Sequence, residues 1–250
     1  MKVIVKNIAT EYRDEGQGNT ILCLHGWQDN LQTFDLITEQ LKLNYRVIRL
    51  DLPGFGNTEK PEDDWGLDQY IDFLVDFIKK INIDIYVLVG HSFGGRIAIK
   101  GVAEGKIRPE KIILIASAGI NKSNSWCNRI LVLVAKIGKL PFLLLGLFGL
   151  NVNYFRHWWN RLIGSDYYEA GPLNKIFLNT IKDDLKMKAK MITQPVLLLW
   201  GKEDKITPIS DGQKFASLIT DSHLEIISDS GHFVHRDKAN IVADLISKFI

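Results

Sequence analysis

Short apolar runs rich in β-branched residues recur along this chain, and most are followed by a stretch with helical spacing. Thr20–Leu24, Tyr45–Leu50, Ile85–Val89, Lys111–Ala116, Val196–Trp200 and His223–Ile227 read as strands. Gln32–Leu43, Asp68–Ile81, Phe93–Glu104, Ser210–Ile219 and Ala239–Phe249 read as helices. The second of these places Ile71, Leu74, Val75 and Ile78 on one stripe. Strands apolar on both faces need cover on both faces, and alternation with helices makes the sheet mostly parallel. Val3–Ile8 and Thr10–Arg13 have no helix between them, so they pair antiparallel at one edge. The expectation is an α/β chain: a mostly parallel twisted sheet of about eight strands with helices on both faces. In such a sheet a ligand binds outside the carboxyl ends of the strands.

The stretch Gly90-His91-Ser92-Phe93-Gly94-Gly95 joins a buried strand to a helix. A serine with glycine two before and two after it, in a strand–turn–helix setting, is the pattern of a nucleophile elbow. The turn holds the serine in a strained conformation, and side chains at 90 and 94 would block the close backbone approach. It projects the Ser92 hydroxyl above the sheet edge and puts the Phe93 N–H at a helix start, where unpaired donors favour an anion. A dinucleotide loop would need G-x-G-x-x-G, which is absent here.

A serine hydroxyl needs a base at neutral pH, and the base needs an orienting carboxylate. Of the six histidines, His232 follows the last strand in Ser228-Asp229-Ser230-Gly231-His232 and so lies on the same edge as Ser92; His235, three residues on, is the alternative. Asp204 lies in the loop after the preceding strand, with Glu203 as its neighbour and alternative. No carboxylate occurs from Ala116 to Asn128, which removes the competing position. The order Ser92, Asp204, His232 is the one expected on this scaffold. A second oxyanion donor should come from His25-Gly26-Trp27-Gln28, and we assign it to the Trp27 N–H beside that of Phe93. His25 is expected to brace this loop and to border the substrate site.

Residues 121–192 break the alternation and read as a helical cap inserted between core segments 1–120 and 193–250. The segment holds 11 Lys/Arg against 4 Asp/Glu, while the remainder holds 20 against 25. Its aromatics Trp126, Tyr154, Trp158 and Trp159 suit an apolar roof over a substrate, whereas Arg156 or Arg161 would suit an acidic one. The uncharged stretch Leu140–Leu150 has 11 residues, well short of the ~20 that span a bilayer. The cap is therefore a candidate for peripheral membrane contact only. A net charge of +2 argues against nucleic acid as a partner. Two cysteines, Cys23 and Cys127, make no disulfide framework, and Met1–Asn7 has no apolar leader pattern, so a cytoplasmic monomer or homodimer is expected. No H-E-x-x-H or clustered Cys/His spacing calls for a metal, and no cofactor is expected.

Taken together, His25-Gly26-Trp27, Asp51-Leu52-Pro53-Gly54-Phe55-Gly56, the Ser92 elbow, Gly201-Lys202-Glu203-Asp204 and Gly231-His232 resemble the α/β-hydrolase fold family with an inserted cap. The likeness covers nearly all of the chain except the cap. Two positions depart from it: Asn30 stands near the second glycine of H-G-x-x-G versions, and Thr58 stands where the family more often has serine. The resemblance implies a serine hydrolase acting on a small or medium carboxylic ester, with lactones, C–C bonds, perhydrolysis or peptide ends as alternatives. A receptor-like binder that keeps the same residues is a further alternative. Dehalogenases and epoxide hydrolases of this fold carry aspartate at the elbow, and Ser92 sets this chain apart from them.

Overall fold

The computed structural model describes residues 1–121 and 173–250. Trp126, Cys127, Tyr154, Arg156, Trp158, Trp159 and Arg161 lie outside the described residues. The chain divides into two compact units, one of Met1–Ile120 with Asn179–Ile250 and one of Asn121–Leu178. The first holds an eight-stranded sheet in the order β1-β2-β4-β3-β5-β6-β7-β8. The strands are β1 (Lys2–Val5), β2 (Ile8–Glu15), β3 (Thr20–Leu24), β4 (Arg46–Leu50), β5 (Val87–His91), β6 (Lys111–Ile115), β7 (Val196–Gly201) and β8 (Ser222–Ile227). β1 and β2 are antiparallel at one edge and everything from β4 onward is parallel, as the missing helix between the first two runs requires.

The register puts Ile21 beside Val47 and Val87, and Ile113 beside Leu197. These residues share one sheet face, which is covered by α1 (Asp35–Leu41) and by α8 (Ala239–Phe249) through Ile37, Leu41, Val242 and Ile246. Fully burying each such side chain contributes about 1.5–3 kcal/mol. Alternate strand residues such as Leu22, Leu88 and Leu114 point to the other face and are as completely buried. There α3 (Phe93–Ala103) packs on β5 and β3, with α2 (Leu67–Ile81) beside it.

Two helices differ from the sequence reading. The run Gln32–Leu43 opens as a 3₁₀ turn, Leu31–Phe34, before α1 begins. Its start is held from outside the helix: the Asn30 side chain accepts from Gln32 N at 2.9 Å, and Asp51 Oδ1 accepts from Leu31 N at 2.7 Å. In α2 the deepest residues are Tyr70, Phe73 and Phe77 with Ile71 and Leu74, while Val75 and Ile78 are only half-buried. The aromatic rings, with more area to bury, take the deepest positions beside Ile71 and Leu74.

The chain rejoins the sheet unit at Asn179. The reason is a buried cation on the helix that follows the serine. Arg96 Nε donates to the Thr180 carbonyl at 3.0 Å and its Nη2 to the Asp183 carbonyl at 2.6 Å. Lys100 pairs with both Asp68 and Asp183, and Leu185 N donates to the Gly119 carbonyl at 2.9 Å. α4 (Asn174–Ile181) leads into this segment and α5 (Lys186–Ala189) packs on α3. The remaining helices are α6 (Ile209–Leu218) and α7 (Val234–Asp237). Among the described residues no helix is long and apolar enough to cross a membrane.

Candidate active site

The link between β5 and α3 is a single residue. Ser92 has φ 47° and ψ −106°, a conformation that costs a side-chain-bearing residue about 1–3 kcal/mol. The glycines make it possible. A Cβ on Gly94 would stand 2.2 Å from the Leu24 carbonyl oxygen, and one on Gly90 would stand 2.7 Å from the Gly94 carbonyl carbon. Backbone hydrogen bonds hold the turn on both sides. Ser92 N donates to Ile115 O at 3.1 Å, and Ala118 N donates to Ser92 O at 3.1 Å. Gly94 N donates to His25 O at 3.1 Å, tying the turn to the loop after β3. The Phe93 N–H, first in the helix, has no hydrogen-bond partner among the described residues.

Asp204 and His232 meet across the ends of β7 and β8. His232 Nδ1 lies 2.9 Å from Asp204 Oδ2. Asp204 has four donors around it: Ile206 N at 2.8 Å and Thr207 N at 2.9 Å on Oδ1, and Thr207 Oγ1 at 2.8 Å beside His232 on Oδ2. Burial works to raise this carboxyl's pKa, but the hydrogen bonds from His232 and Thr207 and the nearby imidazole charge outweigh it, so the net direction is down. An ionised carboxylate only accepts, so Nδ1 of His232 carries a hydrogen, and in a neutral ring Nε2 is then the nitrogen with the lone pair. That is the tautomer a general base needs. Thr207, which nothing in the residue order singles out, shares that one hydroxyl hydrogen with the Ala116 carbonyl, 3.0 Å away, and so ties the carboxylate loop to the strand end beside the elbow.

The alternatives to these two residues are occupied elsewhere. Glu203 Oε2 accepts from Ser230 N at 2.9 Å, joining the loop of Asp204 to the loop of His232. His235 sits on α7 and is fully buried with Nε2 2.8 Å from Thr33 Oγ1. The elbow touches the histidine loop through His91. Its Nε2 donates to the His232 carbonyl at 3.1 Å, and the two rings are 4.8 Å apart.

The loop after β3 carries His25, Gly26 and Trp27. His25 is fully buried and both its nitrogens are spent: Nδ1 donates to the Gly26 carbonyl at 2.7 Å, and Nε2 accepts from Leu52 N at 2.9 Å. Burial lowers its pKa, so it stays neutral. Both ring nitrogens therefore brace the loop. The Trp27 ring packs edge-on against Phe55 and Phe93 at 4.9 and 5.3 Å, and Tyr70 closes on Phe93 at 5.1 Å. Phe55 and Tyr70 are aromatic neighbours that sequence spacing did not reveal. Asp51, at the end of β4, spends its carboxylate on Leu31 N and Asn57 N, so its role is to shape the turn.

This arrangement of strands and loops has a counterpart among known proteins. Residues 21–245 match the family described as the alpha/beta hydrolase family. The chain belongs to that family. Among curated relatives, the AB hydrolase superfamily protein YisY of Bacillus subtilis is 28% identical, the match covering 94% of this chain and 93% of that protein. The 2-hydroxy-6-oxo-6-(2'-aminophenyl)hexa-2,4-dienoic acid hydrolase of Metapseudomonas resinovorans is 25% identical over 96% of this chain and 88% of its own. Among solved structures, the enol-lactonase from Burkholderia xenovorans LB400 superposes with a TM-score of 0.76 at 18% identity, covering 100% of this chain and 99% of that one.

Proposed function

We propose that this alpha/beta hydrolase cleaves small-to-medium carboxylic esters, lactones included, through an acyl-enzyme on Ser92. The observation that carries the reading is the strained serine at a helix N-terminus, with a buried Asp204–His232 pair of fixed tautomer on the neighbouring strand ends. In this reading His232 Nε2 takes the Ser92 proton as Oγ attacks the carbonyl carbon. The resulting oxyanion accepts from the N–H groups of Trp27 and Phe93, each such donor contributing about 3–4 kcal/mol to the transition state. His232 returns the proton to the leaving alcohol, and Asp204 stabilises the imidazolium meanwhile. A water, deprotonated by His232, then attacks the acyl carbon; the acid leaves and the serine recovers its proton.

A second reading, hydrolysis of a 2-hydroxy-6-oxo-dienoic acid on the same three residues, is supported by the named relative. The aromatic neighbours of the elbow, Trp27 and Phe55, favour an apolar acyl or alkyl group instead. A panel of p-nitrophenyl esters of increasing acyl length, run beside lactones and a dienoic acid, decides between them. The ester reading requires multiple turnover on the esters and its loss in Ser92→Ala. Turnover confined to the dienoic acid would replace it with the second reading.

A further inference from the structure

Behind the proposed oxyanion loop three buried polar atoms face one another. A carboxylate oxygen of Asp29 and a ring nitrogen from each of His91 and His235 lie within 4.8 Å of one another. Asp29 Oδ2, His91 Nδ1 and His235 Nδ1 are buried with no hydrogen-bond partner among the described residues. The other atoms of these groups are taken: Asp29 Oδ1 accepts from Asn30 N, His91 Nε2 donates to the His232 carbonyl, and His235 Nε2 meets Thr33 Oγ1. Both imidazoles are kept neutral by burial, His91 well below its ordinary range and His235 down to about 3.

The proton count here is constrained. A carbonyl only accepts, so the His91 hydrogen is on Nε2 and its Nδ1 offers a lone pair. Asp29 Oδ2 also only accepts. Two acceptors therefore point into one small buried space, and leaving both unpaired would cost several kcal/mol. We infer that one buried water closes this junction, donating to Asp29 Oδ2 and His91 Nδ1 and accepting from His235 Nδ1–H. No two of the three atoms are more than 4.8 Å apart, so one point lies within about 2.8 Å of all three, which is hydrogen-bond reach. With both hydrogens of the water used, His235 must donate, so its Nε2 is bare and accepts from the Thr33 hydroxyl. The two buried histidines are thus in opposite tautomers.

The junction links three pieces of the proposed machinery. Asp29 is on the oxyanion loop, His91 precedes the nucleophile, and His235 lies three residues after the base. Asp29 and His235 are positioning residues in this account, acting through the water and not on substrate. A transition-metal ion is the rival occupant, and it leaves a different signature. A metal takes lone pairs from all three residues, which forces the His235 hydrogen onto Nε2.

The test uses the full-length chain labelled with ¹⁵N-histidine and long-range ¹H–¹⁵N spectra at neutral pH. The junction requires His91 protonated on Nε2 and His235 protonated on Nδ1, with neither signal moved by Zn²⁺ or Co²⁺. His235 protonated on Nε2, or one equivalent of metal retained after desalting, overturns it. A kinetic arm rests on the ester-hydrolase reading. Asp29→Ala should lower kcat by roughly tenfold to a hundredfold with KM within about twofold, through a displaced oxyanion loop. Asp29→Asn should restore most of it, because the amide keeps an oxygen for Asn30 N and gives the water a donor that it can accept. Equal damage in both variants contradicts the junction. If no ester is turned over, the tautomers still decide the junction separately from the proposed reaction.

Discussion

Acidification below neutral pH should destabilise this protein through its buried histidines. His25, His91 and His235 are buried, and burial is the first cause pushing each imidazole pKa down, His235 to about 3. In the unfolded chain a histidine titrates near ~6.5. Between those values the unfolded state binds a proton that the native state refuses. The stability from each buried imidazole is therefore fully present above ~6.5 and declines as the pH falls toward the folded value. One such group costs up to about 1.4 kcal/mol per pH unit, so His235 alone removes about 2.7 kcal/mol by pH 4.5. His25 and His91 act in the same direction. Asp204, with its pKa lowered, adds a loss only at lower pH, below the ordinary carboxylate range. Urea unfolding followed by tryptophan fluorescence from pH 8 to pH 4.5 measures the slope. His235→Gln should be less stable at neutral pH, yet its stability should fall less steeply on acidification, by about one proton or ~1.4 kcal/mol per unit. Flat stability of the unaltered protein over this range, or an identical slope in the variant, refutes the reasoning.

Three further outcomes follow from single contacts. Thr207→Val removes the hydroxyl on Asp204 Oδ2 and should lower kcat by about two- to tenfold, the equivalent of one hydrogen bond, in steady-state ester hydrolysis. Gly94→Ala places a methyl group 2.2 Å from a backbone oxygen and should cost at least ~3 kcal/mol or prevent folding, whereas Gly231→Ala, with nothing within 4 Å of its new carbon, should stay within ~1 kcal/mol in the same urea titrations. Arg96→Met frees the carbonyls of Thr180 and Asp183 and should raise amide hydrogen exchange selectively over residues 179–185, while the sheet amides stay protected.

The parts legible in the sequence are those with a steric or topological cause. Gly90 and Gly94 could be read because the elbow excludes side chains there, a constraint that shows as bare spacing. Asp204 and His232 could be placed because each follows a strand whose direction the alternation determines, and parallel strands bring their following loops to one edge. Lateral contacts left no such trace. Thr207 is an ordinary loop threonine until the carboxylate turns back on it, and nothing in the spacing of His235 marks it as buried against Phe34 and His91. His25 was visible as a brace, but its lack of exposure follows from Leu52, 27 residues away, which donates to it. Periodicity shows the helix α2, but not that the larger rings of Tyr70, Phe73 and Phe77 take its deepest positions.

The central claim is that Ser92 is the nucleophile, and mass spectrometry of the protein after a fluorophosphonate reads this directly. The account requires one adduct per chain, located on the peptide that contains Ser92, formed far more slowly in His232→Ala and absent in Ser92→Ala. An adduct on another residue, or a Ser92→Ala protein that still labels and still turns over esters, would contradict it.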